Sequence, residues 1–402
     1  MPARRVAILG AGPIGLEAAL EAARRGFEVR VYEAGQVGEH LRRFESVALF
    51  TPFGMNSSPE GRERLRSADV PLPSDAALLS AGELVENYLV PLARLSELAA
   101  SIRERERVTH VGRGGLDKGD GVGSGRKGRG FLLRVEADGA TRFDRADFVV
   151  DATGVYGNPN ATGPGGLPAL GEDRLGDALT RHIDPSLYSV HGPYVQGDTL
   201  LIGDGHSAAT ALLRFDGIAR AGDAFRVHWI ARARPVAFAE VDGDPLPARL
   251  ELARRANEIA SSARWLTRHP GACAIAYERL GDRIHVALED GSSFDVDRVL
   301  ALVGYRPDVA ITRELQVHYC YASEGTMKLA AAILGAGGGD CLAQVAHGPE
   351  SLQNPEPDFF VLGAKSYGRN PQFLLSIGHQ QVRDAFRLMG SGQGIAAPAL
   401  VP

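Results

Sequence analysis

The chain has 402 residues, of which 44% are hydrophobic and 23% are charged, and its formal net charge is −5. A chain of this length exceeds what one hydrophobic core usually organises, so we expect two domains. The charges form no long block of one sign, which argues against nucleic acid as a partner. No apolar run is long enough to span a membrane, so we expect a soluble cytoplasmic protein that does not bind membranes.

The three cysteines, Cys273, Cys320 and Cys341, are far apart and form no C-x-x-C pair. This spacing supports neither a redox-active dithiol nor a zinc site, and no metal is expected. A sparse, odd cysteine count fits a reducing compartment. We expect each thiol to be buried and inert.

The segment VAILGAGPIGLEAAL, 6–20, predicts a strand at 5–9, a glycine turn at 10–15 and a helix that runs to about Arg25. In such a turn the first glycine permits a tight bend, the second lets the backbone approach a pyrophosphate, and the third lets helix pack on strand. The turn residues are Gly10, Gly12, Pro13, Ile14 and Gly15. The following strand, 27–33, ends in Glu33, close to the spacing at which an acid accepts hydrogen bonds from a ribose 2'-hydroxyl. An ordinary βα turn is the alternative.

A second segment, LLIGDGHSAAT at 200–210, repeats this pattern. Its candidate binding residues are Gly203, Gly205, His206, Ser207 and Ala208. The next strand, FRVHWIA, ends not in an acid but in Arg232, with Arg234 two residues later. A carboxylate would repel a 2'-phosphate, whereas guanidinium groups pair with it, so this strand end favours NADPH over NADH. A solvated basic loop is the alternative.

Two further apolar runs close on small-residue turns, DFVVDATGVYGNP at 147–159 and DRVLALVGYRPD at 297–308. The first contains Ala152, Thr153 and Gly154. The two runs bracket the second glycine turn, as the crossings into and out of an inserted domain would. Two unrelated strand-turn pairs are the alternative.

Together these motifs resemble the two-dinucleotide-domain flavoproteins, and among them the flavin-containing monooxygenases and their bacterial relatives. The resemblance covers nearly the whole chain and rests on GAGPIG, on FESVALFTPFGMNSS at 44–58 followed by AGELVENYLVPLA, on DATGVYGNP, on GDGHSA and on LVGYRPD. It implies FAD at the first glycine turn and NADPH at the second. The expected fold class is α/β, with an FAD-binding Rossmann-like domain over 1–160 and 309–402 and an inserted NAD(P)-binding Rossmann-like domain over 161–308.

By the same resemblance Asn56, in MNSS, falls beside the flavin and the oxygen site, as a candidate catalytic residue. The alternative is that it caps the next turn. The family's second signature, Phe-x-Gly-x-x-x-His ahead of the NADPH turn, is not matched, because His182 and His191 stand at other spacings. This departure argues against monooxygenation more than it argues against the two cofactors.

The segment 358–386 predicts a strand, a turn at Gly363, a loop, and a helix that Pro371 starts. It resembles the part of these flavoproteins that closes the flavin site. The helix N-terminus near Gln372 and Phe373 would then stabilise the negative charge of a reduced flavin. Lys365 could assist in this, but we expect it at the surface, and we expect His379 to be packed or solvated rather than catalytic.

Two segments are interpreted as accessory. The glycine-rich, basic stretch 111–130 is expected to be a mobile loop or a long hairpin connection. The stretch 243–266 is expected to be a helix-bearing insertion in the NADPH domain, where it could face the substrate.

The sequence thus predicts an FAD-dependent NAD(P)H oxidoreductase that oxygenates a small organic molecule, with a homodimer left open. One alternative is a reductase or dehydrogenase that passes electrons to an acceptor other than oxygen. A second alternative, from another class, is a flavin-binding sensor without turnover.

Overall fold

The computed structural model describes residues 3–189, 192–220, 225–234, 236–240, 244, 246–335 and 346–390. Its helices are α1 (Pro13–Arg24), α2 (Glu39–Arg42), α3 (Phe53–Asn56), α4 (Pro59–Ser67), α5 (Ala81–Leu84), α6 (Val90–Ala93), α7 (Ser96–Ala99), α8 (His206–Arg220), α9 (Pro247–Ser262), α10 (Met327–Gly335) and α11 (Leu375–Met389). Within these described ranges, no helix is both long enough and apolar enough to cross a membrane.

The strands are β1 (Arg5–Leu9), β2 (Glu28–Tyr32), β3 (Ile102–Arg103), β4 (Glu106–Arg113), β5 (Phe131–Ala137), β6 (Ala140–Ala146), β7 (Phe148–Asp151), β8 (Leu179–Thr180), β9 (Gly197–Ile202), β10 (Phe225–Ala231), β11 (Leu266–Pro270), β12 (Ala274–Leu280), β13 (Arg283–Leu288), β14 (Ser293–Val296), β15 (Arg298–Ala301) and β16 (Phe359–Val361). The chain divides into two compact units. The first comprises Met1–Arg42, Pro52–Asn158 and Arg306–Pro402, and the second comprises Arg43–Thr51 and Pro159–Tyr305.

The first unit is built on a five-stranded sheet in the order β16-β7-β1-β2-β3, with every neighbouring pair parallel. Its central strand β1 is buried from Val6 to Leu9, which is typical of a parallel strand covered on both faces. Leu9 lies opposite both Tyr32 and Asp151, so the carboxyl ends of three strands meet at one edge. A three-stranded antiparallel sheet, β4-β5-β6, precedes β7 in the chain.

The second unit repeats this architecture. Its parallel sheet has the order β11-β10-β9-β15-β8, with β9 in the central position that β1 holds in the first unit. An antiparallel sheet, β12-β13-β14, again precedes the strand that pairs with the central one. The repeated parallel sheets agree with the predicted α/β class.

The stretch 243–266 contains the predicted helix, but the interpretation of this stretch as an insertion is wrong. The described part of this stretch contains α9, which connects β10 to the parallel strand β11 and so forms an ordinary crossover of the second sheet. Helix α9 buries Leu252 and Ala256 in a core that also contains Phe215 and Trp229. A helical crossover and an added helix look alike in sequence, because both are amphipathic segments flanked by loops.

The glycine-rich stretch 111–130 is the connection between β4 and β5, which is one of the two expected alternatives. It is held by Arg126, whose side chain is completely buried. The Arg126 guanidinium donates to both oxygens of Glu356 at 3.1 Å and to the carbonyls of Asp117 and Asp120. Arg113, also buried, donates to the same carboxylate at 2.9 Å.

Two candidate nucleotide sites

In the first glycine turn, close contacts with neighbouring backbone exclude a side chain at two of the glycines. Gly10 has a φ of +97°, and a Cβ there would lie 2.8 Å from the carbonyl oxygen of Ala152. A Cβ on Gly15 would lie 1.9 Å from the carbonyl oxygen of Gly10, so neither position accepts a side chain.

Gly12 differs from these two. Its φ is −81°, an ordinary value, and no heavy atom of the described residues, apart from Gly12 and its neighbours in the chain, lies within 4 Å of where its Cβ would be. Gly12 precedes Pro13, the first residue of α1, so this open space lies at a helix N-terminus. Free N–H groups and the helix dipole make such a place favourable for an anion.

Glu33 lies at this turn. Its Oε2 accepts from the Ala11 N–H at 2.8 Å and its Oε1 from the Gly35 N–H at 2.8 Å. Burial raises the pKa of Glu33, and the two N–H donors partly offset that effect. Each carboxylate oxygen can accept a further hydrogen bond, so Glu33 retains capacity for a ribose hydroxyl.

The turn after β7 carries Thr153, and a buried ion pair lies beneath it. The Lys365 ammonium lies 2.7 Å from Asp151 Oδ2 and donates to the Thr153 hydroxyl at 3.0 Å. Thr153 donates in turn to Asp151 Oδ1 at 2.7 Å. The expectation of a surface lysine is wrong, because the Lys365 side chain is 1% exposed and neutralises a buried carboxylate.

Two further predicted binding residues, Gly363 and Phe373, and one that was not predicted, Gly378, meet near Ile14. Gly363, with φ +75°, lies so close that a Cβ would be 3.3 Å from the Ile14 side chain. A Cβ on Gly378 would contact both Ile14 and the Phe373 ring, at 2.3 and 2.7 Å. The sequence analysis missed Gly378, whose only signal is a glycine in the first turn of a helix.

The helix of this segment begins later than predicted. Helix α11 begins at Leu375, and Pro371 and Gln372 lie outside it. The Asn370 side chain accepts from the Gln372 N–H at 3.0 Å, which turns the backbone locally. Leu374 then has extended backbone angles, so the helix N-terminus lies three residues beyond Gln372.

Asn56 is the last residue of α3 and is 4% exposed. The N-cap of the next helix, α4, is Ser58, which accepts from the Gly61 N–H at 2.8 Å. Ser58 also donates its N–H to the Tyr88 hydroxyl at 3.1 Å.

Two titratable groups are buried in the same unit. Burial raises the pKa of Glu17 to about 7, against the opposing effects of a hydrogen bond with Ser58 and the charge of Arg383. Burial, together with the charges of Arg383 and Arg62, lowers the pKa of His379 to about 4. His379 is thus packed and uncharged at neutral pH, in agreement with the sequence interpretation.

The second glycine turn has the same construction as the first. Gly203 has φ +134°, and a Cβ there would lie 2.3 Å from the Leu302 carbonyl oxygen. Gly205 has open space around its Cβ position within the described structure, as Gly12 does. Helix α8 begins at His206 and continues through Ser207 to the buried Ala208.

Both predicted arginines come to this turn. Arg232 pairs with Asp204 through two contacts, Nε to Oδ2 at 2.6 Å and Nη2 to Oδ1 at 2.8 Å. Arg234 Nη2 lies 3.6 Å from Asp204 Oδ2. Burial would raise the pKa of Asp204, but the Arg232 hydrogen bonds and the two positive charges lower it below its usual range. The sequence analysis missed Asp204, although it lies between the two glycines.

The sequence analysis also names His182, His191 and the three cysteines. His182 is half-buried, and burial lowers its pKa. Cys273 and Cys320 are half-buried rather than fully buried. His191 and Cys341 lie outside the described residues.

No protein-family model and no curated protein matches the sequence. Several solved structures do match. The bacillithiol disulfide reductase of Bacillus cereus is 18% identical, with a TM-score of 0.66, over 96% of this chain and 98% of that chain. The ornithine N-hydroxylase of Kutzneria sp. 744, in complex with reduced FAD, NADP+ and L-ornithine, is 17% identical, with a TM-score of 0.63 and the same coverages. A variant of the flavin monooxygenase from Stenotrophomonas maltophilia is 20% identical, with a TM-score of 0.58, again over 96% and 98%.

These similarities extend over nearly the full length of each chain, so they concern both units. They establish that the chain has the fold of the two-Rossmann-domain flavoprotein oxidoreductases, as the sequence resemblance predicts. The matched proteins include a disulfide reductase, a hydroxylase and a monooxygenase, so the fold is compatible with several reactions.

Proposed function

We propose that this protein is an FAD-dependent oxidoreductase that uses NADPH to oxygenate a small organic molecule. One observation carries the cofactor assignment: Gly12 leaves open space at the N-terminus of α1, next to the carboxylate of Glu33. Packing within the protein excludes a side chain at Gly10 and Gly15, whereas the N-cap position that Gly12 holds also accepts Ser, Thr, Asn or Asp. A pyrophosphate that approaches the backbone closely would require glycine there.

The first unit would hold FAD through this turn. Glu33 would accept hydrogen bonds from the adenosine ribose, and the turns at Ala152–Gly154 and at Gly363 would border the same groove of the sheet edge. Both turns support this assignment, because a Cβ on Gly10 would meet Ala152 and a Cβ on Gly363 would meet Ile14. We assign the FAD domain to 1–160 and 309–402 and the NADPH domain to 161–308.

The second unit would hold NADPH. Gly205 provides open space at the N-terminus of α8, and Arg232 and Arg234 bring two positive charges to the same turn. A guanidinium pairs with a phosphate through parallel hydrogen bonds, which a ribose hydroxyl cannot match. The position of both arginines beside the turn supports the coenzyme interpretation over a solvated basic loop.

Bound FAD would supply the redox chemistry, by accepting a hydride from NADPH and passing two electrons to O2, of which one oxygen atom enters the substrate and the other leaves as water. The chain's own residues would orient the flavin and exclude water from it. Asn56 is a buried amide, and in the position beside the flavin that the MNSS resemblance implies, it would shield the oxygen site from water and offer it a hydrogen-bonding group.

The second candidate is a reductase that passes electrons to an acceptor other than oxygen. The similarity to a bacillithiol disulfide reductase favours it. The sequence has no C-x-x-C pair that could serve as an internal dithiol. A flavin-binding sensor without turnover is disfavoured, because the second glycine turn leaves space for a second nucleotide at Gly205, as the first turn does at Gly12.

The test begins with the absorption spectrum of the purified protein and its anaerobic reduction by NADPH. We expect a flavin spectrum that NADPH bleaches, followed by consumption of oxygen and NADPH in a substrate screen. A protein that remains colourless after incubation with FAD would refute the cofactor assignment. Reduction of a quinone far faster than of oxygen would favour the reductase.

A further inference from the structure

We propose that Asp204 determines coenzyme specificity: its carboxylate occupies the guanidinium of Arg232 and thereby weakens the preference of the second glycine turn for NADPH over NADH. This inference rests on the proposed function, because it concerns the same coenzyme site.

The geometry places Asp204 in direct competition with a phosphate. Asp204 contacts Arg232 through the edge that carries Nε and Nη2, at 2.6 and 2.8 Å. Carboxylates and phosphates both bind a guanidinium by such parallel pairs of hydrogen bonds. A 2'-phosphate must therefore displace Asp204 from this edge or use the remaining donors of Arg232.

The net charge at this site also makes Asp204 unfavourable for phosphate binding. Arg232, Arg234 and the ionised Asp204 together carry a net charge of +1, whereas the two arginines alone would carry +2. A phosphate monoester carries about −1.5 to −2 at pH 7. Because Asp204 lies within 3.6 Å of both guanidinium groups, it is close enough to repel a phosphate bound to them.

Asp204 also offers a contact to the unphosphorylated coenzyme. A carboxylate near the end of the second strand of a dinucleotide fold accepts hydrogen bonds from the ribose 2'-hydroxyl. Asp204 is not at that strand end in sequence, but its contact with Arg232 brings its carboxylate there. It would therefore stabilise bound NADH while it weakens bound NADPH.

A purely structural ion pair is a weaker explanation. The Arg232 side chain is 73% exposed, and pairs with so exposed a partner contribute little to stability. A second ion pair of similar exposure serves as a control. Its members are Arg220 and Asp216, whose side chains are 75% and 17% exposed. That pair lies within α8, four residues apart, and not at the glycine turn.

The test measures binding of NADP+ and NAD+ by calorimetry, with 2',5'-ADP and 5'-AMP as fragment probes. We expect the ratio of Kd for NAD+ to Kd for NADP+ to rise about tenfold in Asp204→Asn, which corresponds to about 1.4 kcal/mol. Asp204→Ser should shift the ratio in the same direction. Asp216→Asn should leave the ratio unchanged, and Arg232→Ala should lower it.

The possible failures are distinguishable. If wild-type protein binds neither coenzyme nor either fragment, both the proposed coenzyme site and this inference are overturned. If wild-type protein binds NADP+ but the ratio stays unchanged or falls in both Asp204 variants, only the inference is overturned. A rise of the same size in Asp204→Asn when Arg232 is already alanine would also overturn it, since the effect requires competition for Arg232.

Discussion

The ammonium of Lys365 lies 2.7 Å from the carboxylate of Asp151, and both side chains are almost completely removed from solvent. The pair joins the turn after β7 to the turn after β16, so it holds two of the loops proposed to border the flavin. Removing one member leaves the other charge buried with only the hydrogen bonds of Thr153 and without the opposite charge that neutralises it.

Lys365→Met should therefore lower the free energy of unfolding of the first unit by about 3–5 kcal/mol. The double variant Asp151→Asn, Lys365→Met should recover much of this loss, since neither charge then remains. Urea unfolding of the full chain measures both effects. Arg5→Ala, which removes an ion pair with Glu28 that is more than half exposed, is the control and should cost less than about 1 kcal/mol. A single variant as stable as the wild type would contradict this account of the pair.

Gly12→Val should separate folding from flavin binding. A Cβ at position 12 meets no described atom, so we expect a loss of only about 1 kcal/mol, from the poorer helix cap. The side chain would nevertheless fill the space proposed for the pyrophosphate, so FAD content should fall at least about tenfold, which 1.4 kcal/mol of lost binding suffices to produce. Gly15→Ala is the contrasting variant, because its Cβ would clash with the Gly10 carbonyl and lower the melting temperature. Normal FAD content in Gly12→Val would rule out this site.

Glu17 should make stability depend on pH. The folded protein keeps a proton on Glu17 up to about pH 7, whereas in the unfolded chain the pKa returns to its ordinary value of 4.5. Folding therefore binds a proton in this window, and stability falls as pH rises from 4.5 to 7, by roughly 3 kcal/mol. In Glu17→Gln this loss is absent, so the stability difference between variant and wild type should grow across the window and then level off.

His379 provides the control of opposite sign. Its folded pKa of about 4 lies below its ordinary value of 6.5, so its contribution to stability is present above pH 6.5 and is lost as pH falls toward 4. His379→Gln should remove that acid-side loss and leave the Glu17 effect in place. A difference between Glu17→Gln and wild type that stays constant from pH 4 to 8 would mean that Glu17 is not held protonated.

Asn56→Asp should alter the reaction of the reduced protein with oxygen. If the amide donates hydrogen bonds to the oxygen site, replacing it with a carboxylate removes a donor and adds a repelling negative charge. We expect stopped-flow reoxidation of the NADPH-reduced wild type to show two phases, and the delay between them to shorten at least about tenfold in the variant. Asn354→Asp, at another position of the first unit, should leave both phases unchanged. Single-phase reoxidation of the wild type would support the reductase instead.

The predictable parts of the fold are those specified by neighbouring residues. Gly10, Gly15 and Glu33 follow from one βαβ pattern, because turn geometry and strand length fix their positions within about 25 residues. Asp151 and Lys365 are 214 residues apart, and no local pattern reveals that a lysine pairs with a distant buried aspartate. The sequence predicts that α11 starts at Pro371, because proline is common in the first turn of a helix. In the structure the Asn370 side chain holds the next residues in a turn, and the helix starts later.

The Arg126–Glu356 pair has a consequence for the order in which the chain can fold during synthesis. Its partners are 230 residues apart, and nearly all of the second unit lies between them in sequence. The buried guanidinium groups of Arg113 and Arg126 have no shared carboxylate until Glu356 leaves the ribosome, and strand β16 follows only three residues later. The second unit can therefore assemble first, whereas the first unit has to await Glu356, which gives both buried guanidinium groups an ion-pair partner, and β16, which completes its sheet.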